Sequence, residues 1–137
     1  IIINKGSKHK INLGMVVMDG AYLVGKVVEV NYLSSRVLLL SDLNSKIPVI
    51  VEPNTVFSIL SGTGKDYGII QYSKKNEDIK RESIIYTSGA GSLFKAGIPI
   101  GRMNINNLSD EKKVEFFSDF SQLKFVKVVS FKKSENK

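Results

Sequence analysis

The 137-residue chain contains no cysteine and a single histidine. The first absence removes disulfides, thiolate metal sites and a cysteine nucleophile, and argues against a small stapled secreted module. The second leaves too few ligands for a zinc centre. Long apolar runs are missing too: a stretch such as Val37 to Leu40 falls far short of the roughly 20 residues that a membrane-spanning helix requires. No signal peptide precedes them. Because the chain starts at Ile1 rather than Met, it reads as a fragment with more sequence upstream, so a missing targeting segment carries no weight. No helical period runs long enough to cover a parallel sheet, which argues against an α/β fold.

What is present points to β-structure. With 42% hydrophobic residues the chain has enough apolar side chains for a core, and its length fits one domain or two small lobes sharing a core. Period-two patterning predicts strands at 1–4, 14–18, 22–30, 36–41, 47–51, 57–61, 68–72, 83–87, 98–105, 113–117 and 124–131, bounded by Gly, Asn, Asp and Ser. Such spacing marks an all-β barrel or sandwich. Only 109–120 reads two ways: a helix capped by Ser109 with Val114, Phe117 and Phe120 on one face, or a strand through Phe117 followed by a tight turn. The adjacent Phe116 and Phe117 favour the strand.

One pattern occurs twice. Residues 15–27 and 84–103 each run from an apolar segment through a glycine-bearing turn to an apolar-Gly-basic-apolar step, Val24-Gly25-Lys26-Val27 and Ile100-Gly101-Arg102-Met103. Duplication of this kind predicts two related three-strand units that bury their edges by closing into a small barrel. Gly20, Gly89, Gly91 and Gly97 fall where strands end. Gly25 and Gly101 fall inside strands, where glycine marks a bulge, a bend or a close approach.

The net charge of +7 is uneven: residues 1–10 carry +3, 71–81 carry +2 and 111–137 carry +3, whereas 11–70 carry −1 and 82–110 are neutral. The excess sits at the ends and in one loop rather than in a basic stripe with stacking aromatics, so the expected partners do not include nucleic acid. Groups able to do chemistry are few. Ser61-Gly-Thr-Gly-Lys65-Asp66 lacks the first glycine and the Ser/Thr of a phosphate loop and reads as a hairpin turn, and Gly89-Ala-Gly91 lacks the third glycine of a dinucleotide fingerprint, with Pro99 blocking the helix. His9 stands among lysines with no carboxylate to orient it, and Ser88 is not in a nucleophile elbow. Asp19, Glu29, Asp42 and Glu52 adjoin turns or strand faces, where solvation accounts for them. No cofactor or metal is expected. The aromatics Tyr22, Tyr32, Phe57, Tyr67 and Tyr72, at or beside turns, are the candidate anchors for a protein partner.

The segment from Thr87 to Arg102, Thr-Ser-Gly-Ala-Gly-Ser-Leu-Phe-Lys-Ala-Gly-Ile-Pro-Ile-Gly-Arg, closely resembles the signature of the rod shape-determining MreC family, in which Gly89, Gly91, Phe94, Gly97, Pro99 and Gly101 fall on the motif. Matches extend over 1–131 and include Ile3 to Ser7, Gly20 to Val30, Ser35 to Asp42, Ile47 to Val49, Gly62 and Leu123 to Val129. Departures lie at Lys10 or Asn12 in place of a glycine, at Ala90 in place of leucine, and in the polar stretch 105–115, and they bear on loop geometry. The resemblance implies the β region of a membrane-anchored protein on the extracytoplasmic side of the bacterial cytoplasmic membrane. It also implies a non-catalytic scaffold of the elongation complex that organises sidewall peptidoglycan synthesis. The implied partners are MreD, the MreB system, a class B penicillin-binding transpeptidase and further copies of itself.

The expected architecture is therefore all-β, with two small antiparallel barrel-like lobes. One lobe would combine 11–42 with 83–131 and the other would span 43–82, with basic flanks at 1–10 and 132–137; a sequential split into 1–75 and 83–137 is the alternative. Two other functional classes stay open: a divergent or inactive two-barrel hydrolase, and a basic nucleic-acid-binding barrel.

Overall fold

The computed structural model of the chain describes residues 1–71, 82–90, 95–105 and 111–130. Tyr72, Gly91, Phe94, the flank 132–137 and the start of the ambiguous segment at 109–110 lie outside the described residues. The fold is all-β. In chain order the strands are β1 (Ile2–Ile3), β2 (Val16–Asp19), β3 (Tyr22–Val30), β4 (Ser35–Leu39), β5 (Lys46–Glu52), β6 (Val56–Gly62), β7 (Tyr67–Gln71), β8 (Ile84–Thr87), β9 (Pro99–Ile105), β10 (Lys112–Phe116) and β11 (Lys127–Val129). Each answers to an alternating segment of the sequence. Residues 112–116 are strand, and a single 3-10 turn at Phe120–Gln122 follows, so the strand reading holds over the described part of 109–120.

The strands form a five-stranded sheet in the order β1-β4-β3-β2-β11 and a closed six-stranded barrel in the order β10-β7-β6-β5-β8-β9. All pairs are antiparallel. This pairing divides the chain differently from the expected nesting of 11–42 with 83–131. Strands from 84–116 close the barrel with those from 46–71, and the first sheet takes 2–39 and then recovers only the short return strand β11. The sequential split does not describe it either, since the barrel draws strands from both sides of residue 75. The physical reason lies in the alternation. Ile85, Ile98, Ile100 and Met103 point into the same interior as Val49, Val51 and Leu60, so the meander β8-β9-β10 finds its complement in the meander β5-β6-β7.

The duplicated segment is nonetheless a structural repeat. Each copy is a three-strand meander whose middle strand carries the internal glycine, β3 with Gly25 and β9 with Gly101. Gly25 is registered between Val17 and Leu39, and Gly101 between Ile85 and Phe116. Ladder irregularities accompany both, at Val17/Met18 and at Ile85/Tyr86. The tight link from β2 to β3 is a two-residue turn led by Gly20, whose φ of +60° is cheap only without a Cβ.

Both faces of the first sheet are buried against something. Val16, Met18 and Leu23 join the barrel residues in one continuous apolar cluster, while Val17, Val24, Val27 and Val37 alternate to the other face and form a second with Ile11. Phe120, just after β10, packs against both clusters, and β3 also meets β9.

Candidate interaction surface

In an antiparallel barrel the inward positions are apolar and the outward ones normally polar. Here one outward position on each of four neighbouring strands is apolar as well. Phe57 on β6 is paired with Ile50 on β5, Ile50 with Tyr86 on β8, and Tyr86 with Pro99 at the start of β9. Directly opposed side chains on one face lie close enough to pack on each other, so these four form a row across the barrel wall. Pro48 and Ile59, also paired, extend it by a second row. Phe57 is 61% exposed, and the others are half-buried. Pro99 fits where it stands: it opens its strand beside an irregularity in the ladder, the position at which a missing N–H is tolerated.

The loop bearing the signature segment is tied at its base. Thr87 is fully buried; its hydroxyl donates to the Lys95 carbonyl and accepts from the Ile98 N–H at 3.0 Å, while its carbonyl accepts from the Gly97 N–H at 2.9 Å. Gly89 and Gly97 both have positive φ. A threonine in a run of turn residues gives no sequence signal for this clamp, since hydroxyls are common there for many reasons.

Among the described residues, the aromatics expected as anchors are held in different local contacts. Phe57 lies in the barrel row. Tyr22, 39% exposed, sits against the Phe117 ring with centroids 5.0 Å apart, and Arg102 reaches the same ring at 5.9 Å. Tyr67 lies under the Lys113 ammonium at 4.7 Å. Tyr32 is 64% exposed on the β3–β4 hairpin, where the Ser7 and Lys8 amides bond to the Asn31 and Tyr32 carbonyls. The apolar partners Ile50 and Tyr86 escaped sequence reasoning because strand alternation tells inward from outward only after the register is known.

Groups weighed for chemistry are engaged in local structure. His9 Nδ1 accepts from the Gly6 N–H at 3.1 Å, and the Ser88 hydroxyl accepts from the Ala90 N–H at 3.1 Å, the two residues lying on loops of different sheets. Glu29 pairs with Arg36 at 3.1 Å on the surface, an exposed pair contributing at most about 1 kcal/mol. Asp42 accepts from the Asn44 N–H and Glu52 from the Thr55 hydroxyl. Ser61 to Asp66 is the end of β6 and the β6–β7 turn, closed by the Thr63 hydroxyl donating to the Tyr67 carbonyl.

After β10, Asp119 caps the short turn at Phe120–Gln122. Its Oδ1 accepts from the Ser121 hydroxyl at 2.6 Å and from the Ser121 N–H at 3.0 Å. These two bonds, the hydroxyl's first, hold the exposed carboxyl below the ordinary aspartate value. A depressed folded value means that the turn is favoured above the unfolded aspartate pKa and loses that support as pH falls through the folded one. In the Ser121→Ala variant the Asp119 carboxyl is expected to titrate at higher pH, read from its carboxyl carbon by NMR; an unmoved titration would show that the hydroxyl is not the cause.

The family model described as "Rod shape-determining protein MreC, barrel core" matches residues 1–130. Among curated relatives, the cell shape-determining protein MreC of Caulobacter vibrioides is 31% identical over 131 residues, covering 96% of this chain and 38% of its own. That of Haemophilus influenzae is 38% identical over 101 residues, covering 73% and 29%. The chain thus spans well under half the length of these relatives. The crystal structure of MreC from Pseudomonas aeruginosa superposes with a TM-score of 0.85 at 30% identity, over 95% of this chain and 88% of that one. A complex between a penicillin-binding protein (PBP2) and MreC from Helicobacter pylori contains a chain of the same fold, with a TM-score of 0.60 at 15% identity over 75% of this chain and 66% of that one.

Proposed function

The chain belongs to the rod shape-determining MreC family, and on that premise we propose that it is the extracytoplasmic β-module of a cell-shape scaffold that works by docking other proteins. The observation that carries the reading is the outward apolar row Phe57, Ile50, Tyr86 and Pro99 on a barrel whose interior is already filled. A contiguous apolar patch on the outside of a barrel, rather than single scattered side chains, is the mark of a surface that meets a partner. In this reading the partner on the row is a class B penicillin-binding transpeptidase, a choice supported by the existence of a complex between PBP2 and MreC from Helicobacter pylori, and the module helps to organise sidewall peptidoglycan synthesis. MreD, the MreB system and other copies of the chain would be reached through this module or through parts of the protein beyond it. The periplasmic domain described for another solved MreC, 25% identical, supports an extracytoplasmic site of action.

The experiment is Phe57→Glu. The side chain is mostly exposed, so the variant should melt within about 0.5 kcal/mol of the parent. Its affinity for the organism's class B transpeptidase, measured by surface plasmon resonance, should fall at least tenfold, about 1.4 kcal/mol. Unchanged affinity would take the docking site off this face.

A further inference from the structure

Where the chain leaves the barrel to return to the first sheet, it lines a cleft of about 580 Å³, a size typical of ligand sites. Two chemistries meet there. Phe116 and Phe120 stack with centroids 4.8 Å apart, and Phe117 adds a third ring to the wall. Asp66 from the β6–β7 turn, Glu115 at the end of β10 and Asp119 supply three carboxylates in a chain of net charge +7. No ion pair reaches these carboxylates among the described residues. The cations nearby face rings instead, Arg102 over Phe117 and Lys113 over Tyr67.

We propose that this cleft docks an extended peptide segment of a partner protein in which a lysine or arginine adjoins an apolar side chain. The apolar side chain would lie on the Phe116 and Phe120 rings and the cation among the carboxylates. Beside aromatic faces a cation gains from the ring quadrupoles as well as from the acids, and the position of Arg102 on Phe117 shows that a guanidinium is accommodated by these rings. The carboxylates are preorganised for the task. Glu115 is held by the Asn104 amide at 3.2 Å, and Asp119 is fixed by Ser121 through one oxygen, leaving the other for a donor. Ser118, in the lining of the cleft, is 7% exposed and its hydroxyl has no hydrogen-bond partner among the described residues. A buried hydroxyl without a partner is costly, and a peptide donor entering beside it would satisfy it.

This inference shares with the scaffold reading only that the occupant is a protein; the barrel row around Phe57 is a separate surface. The test titrates the isotope-labelled chain with two end-blocked peptides, one alternating leucine and arginine, the other leucine and glutamate. Amide shifts from the arginine peptide should centre on 115–121 and Asp66. They should weaken at high salt, and affinity should drop about tenfold in the Asp66→Asn/Asp119→Asn double variant while Phe57→Glu binds the peptide as the parent does. Equal binding of the glutamate peptide, shifts confined to other residues, or no shift at all would overturn the proposal. So would concentration-dependent shifts of the same amides without peptide, which would make a second copy the occupant.

Discussion

Replacing Gly101 with valine is expected to lower stability by about 3 kcal/mol, enough to remove much of the margin of an ordinary domain. The reason is not backbone strain, since Gly101 lies in an extended strand. A Cβ at this position would drive into the Glu115 carbonyl oxygen on the neighbouring strand and come within 3.0 Å of the Val114 Cγ1. The obstacle is backbone, held by the β9–β10 ladder on one side and the β10–β7 ladder on the other, so it has little room to yield. Gly25 repeats the relation in the first sheet, where its Cβ would meet the Leu38 carbonyl oxygen and approach the Leu39 Cα to 3.1 Å. Both glycines are paired with the residue that follows the obstructing carbonyl. Valine at either position should therefore shift the denaturant midpoint by similar amounts. By contrast, Gly20→Ala, with nothing within 4 Å of the new Cβ, should lose only the left-handed-backbone penalty of about 1 kcal/mol. A Gly101→Val variant that unfolds at the parent's midpoint would mean that the two strands can part without loss.

That pair of glycines also shows how far the sequence could be read. Alternation placed every strand to within a few residues, because a half-buried strand must repeat with period two, and β3 was bounded at Tyr22 and Val30 by its turn residues alone. The duplication was legible for the same reason, as two meanders with a glycine in the middle strand. What alternation cannot carry is pairing. Nothing in Ile84 to Thr87 distinguishes Val49, Val51 and Glu52 as partners from the strands of the first copy, and the choice follows from how interior side chains fill a closed ring. The candidate surface suffered equally. Phe57 stood out as an aromatic beside a turn, but Ile50 and Tyr86 join it only through registers 7 and 36 residues apart in sequence. The cleft needed the segment Glu115 to Ser121 to fold back beside Asp66, and its acid-aromatic alternation gave only a local turn signal. At the base of the signature loop neither periodicity nor the glycines and proline of the motif singled out Thr87, whose hydroxyl clamps Lys95 and Ile98.

Leu23→Ala should be the second large effect, about 3 kcal/mol, and it discriminates between two ways of building the molecule. Leu23 belongs by sequence and pairing to the first sheet, yet it is completely buried in the cluster that includes Ile47, Ile85 and Ile100 of the barrel. Its removal opens a cavity between the two sheets rather than within one. If the sheets share that core as a single cooperative unit, denaturation monitored by far-ultraviolet circular dichroism and by Tyr fluorescence will stay coincident in the variant. Hydrogen exchange will accelerate together in β5–β9 and in β2–β4. Val24→Ala, on the opposite face of the same strand, empties the smaller cluster with Val17, Val27 and Val37 and should loosen the first sheet while disturbing the barrel less. The opposite pattern for Leu23→Ala, barrel amides keeping full protection while those of the first sheet lose it, would show two independently stable lobes. Coupling of this kind would reach the Phe116–Phe120 cleft, which lies where the last barrel strand leaves for the first sheet. Phe120, packed against both clusters, is the side chain that ties that cleft to the shared core.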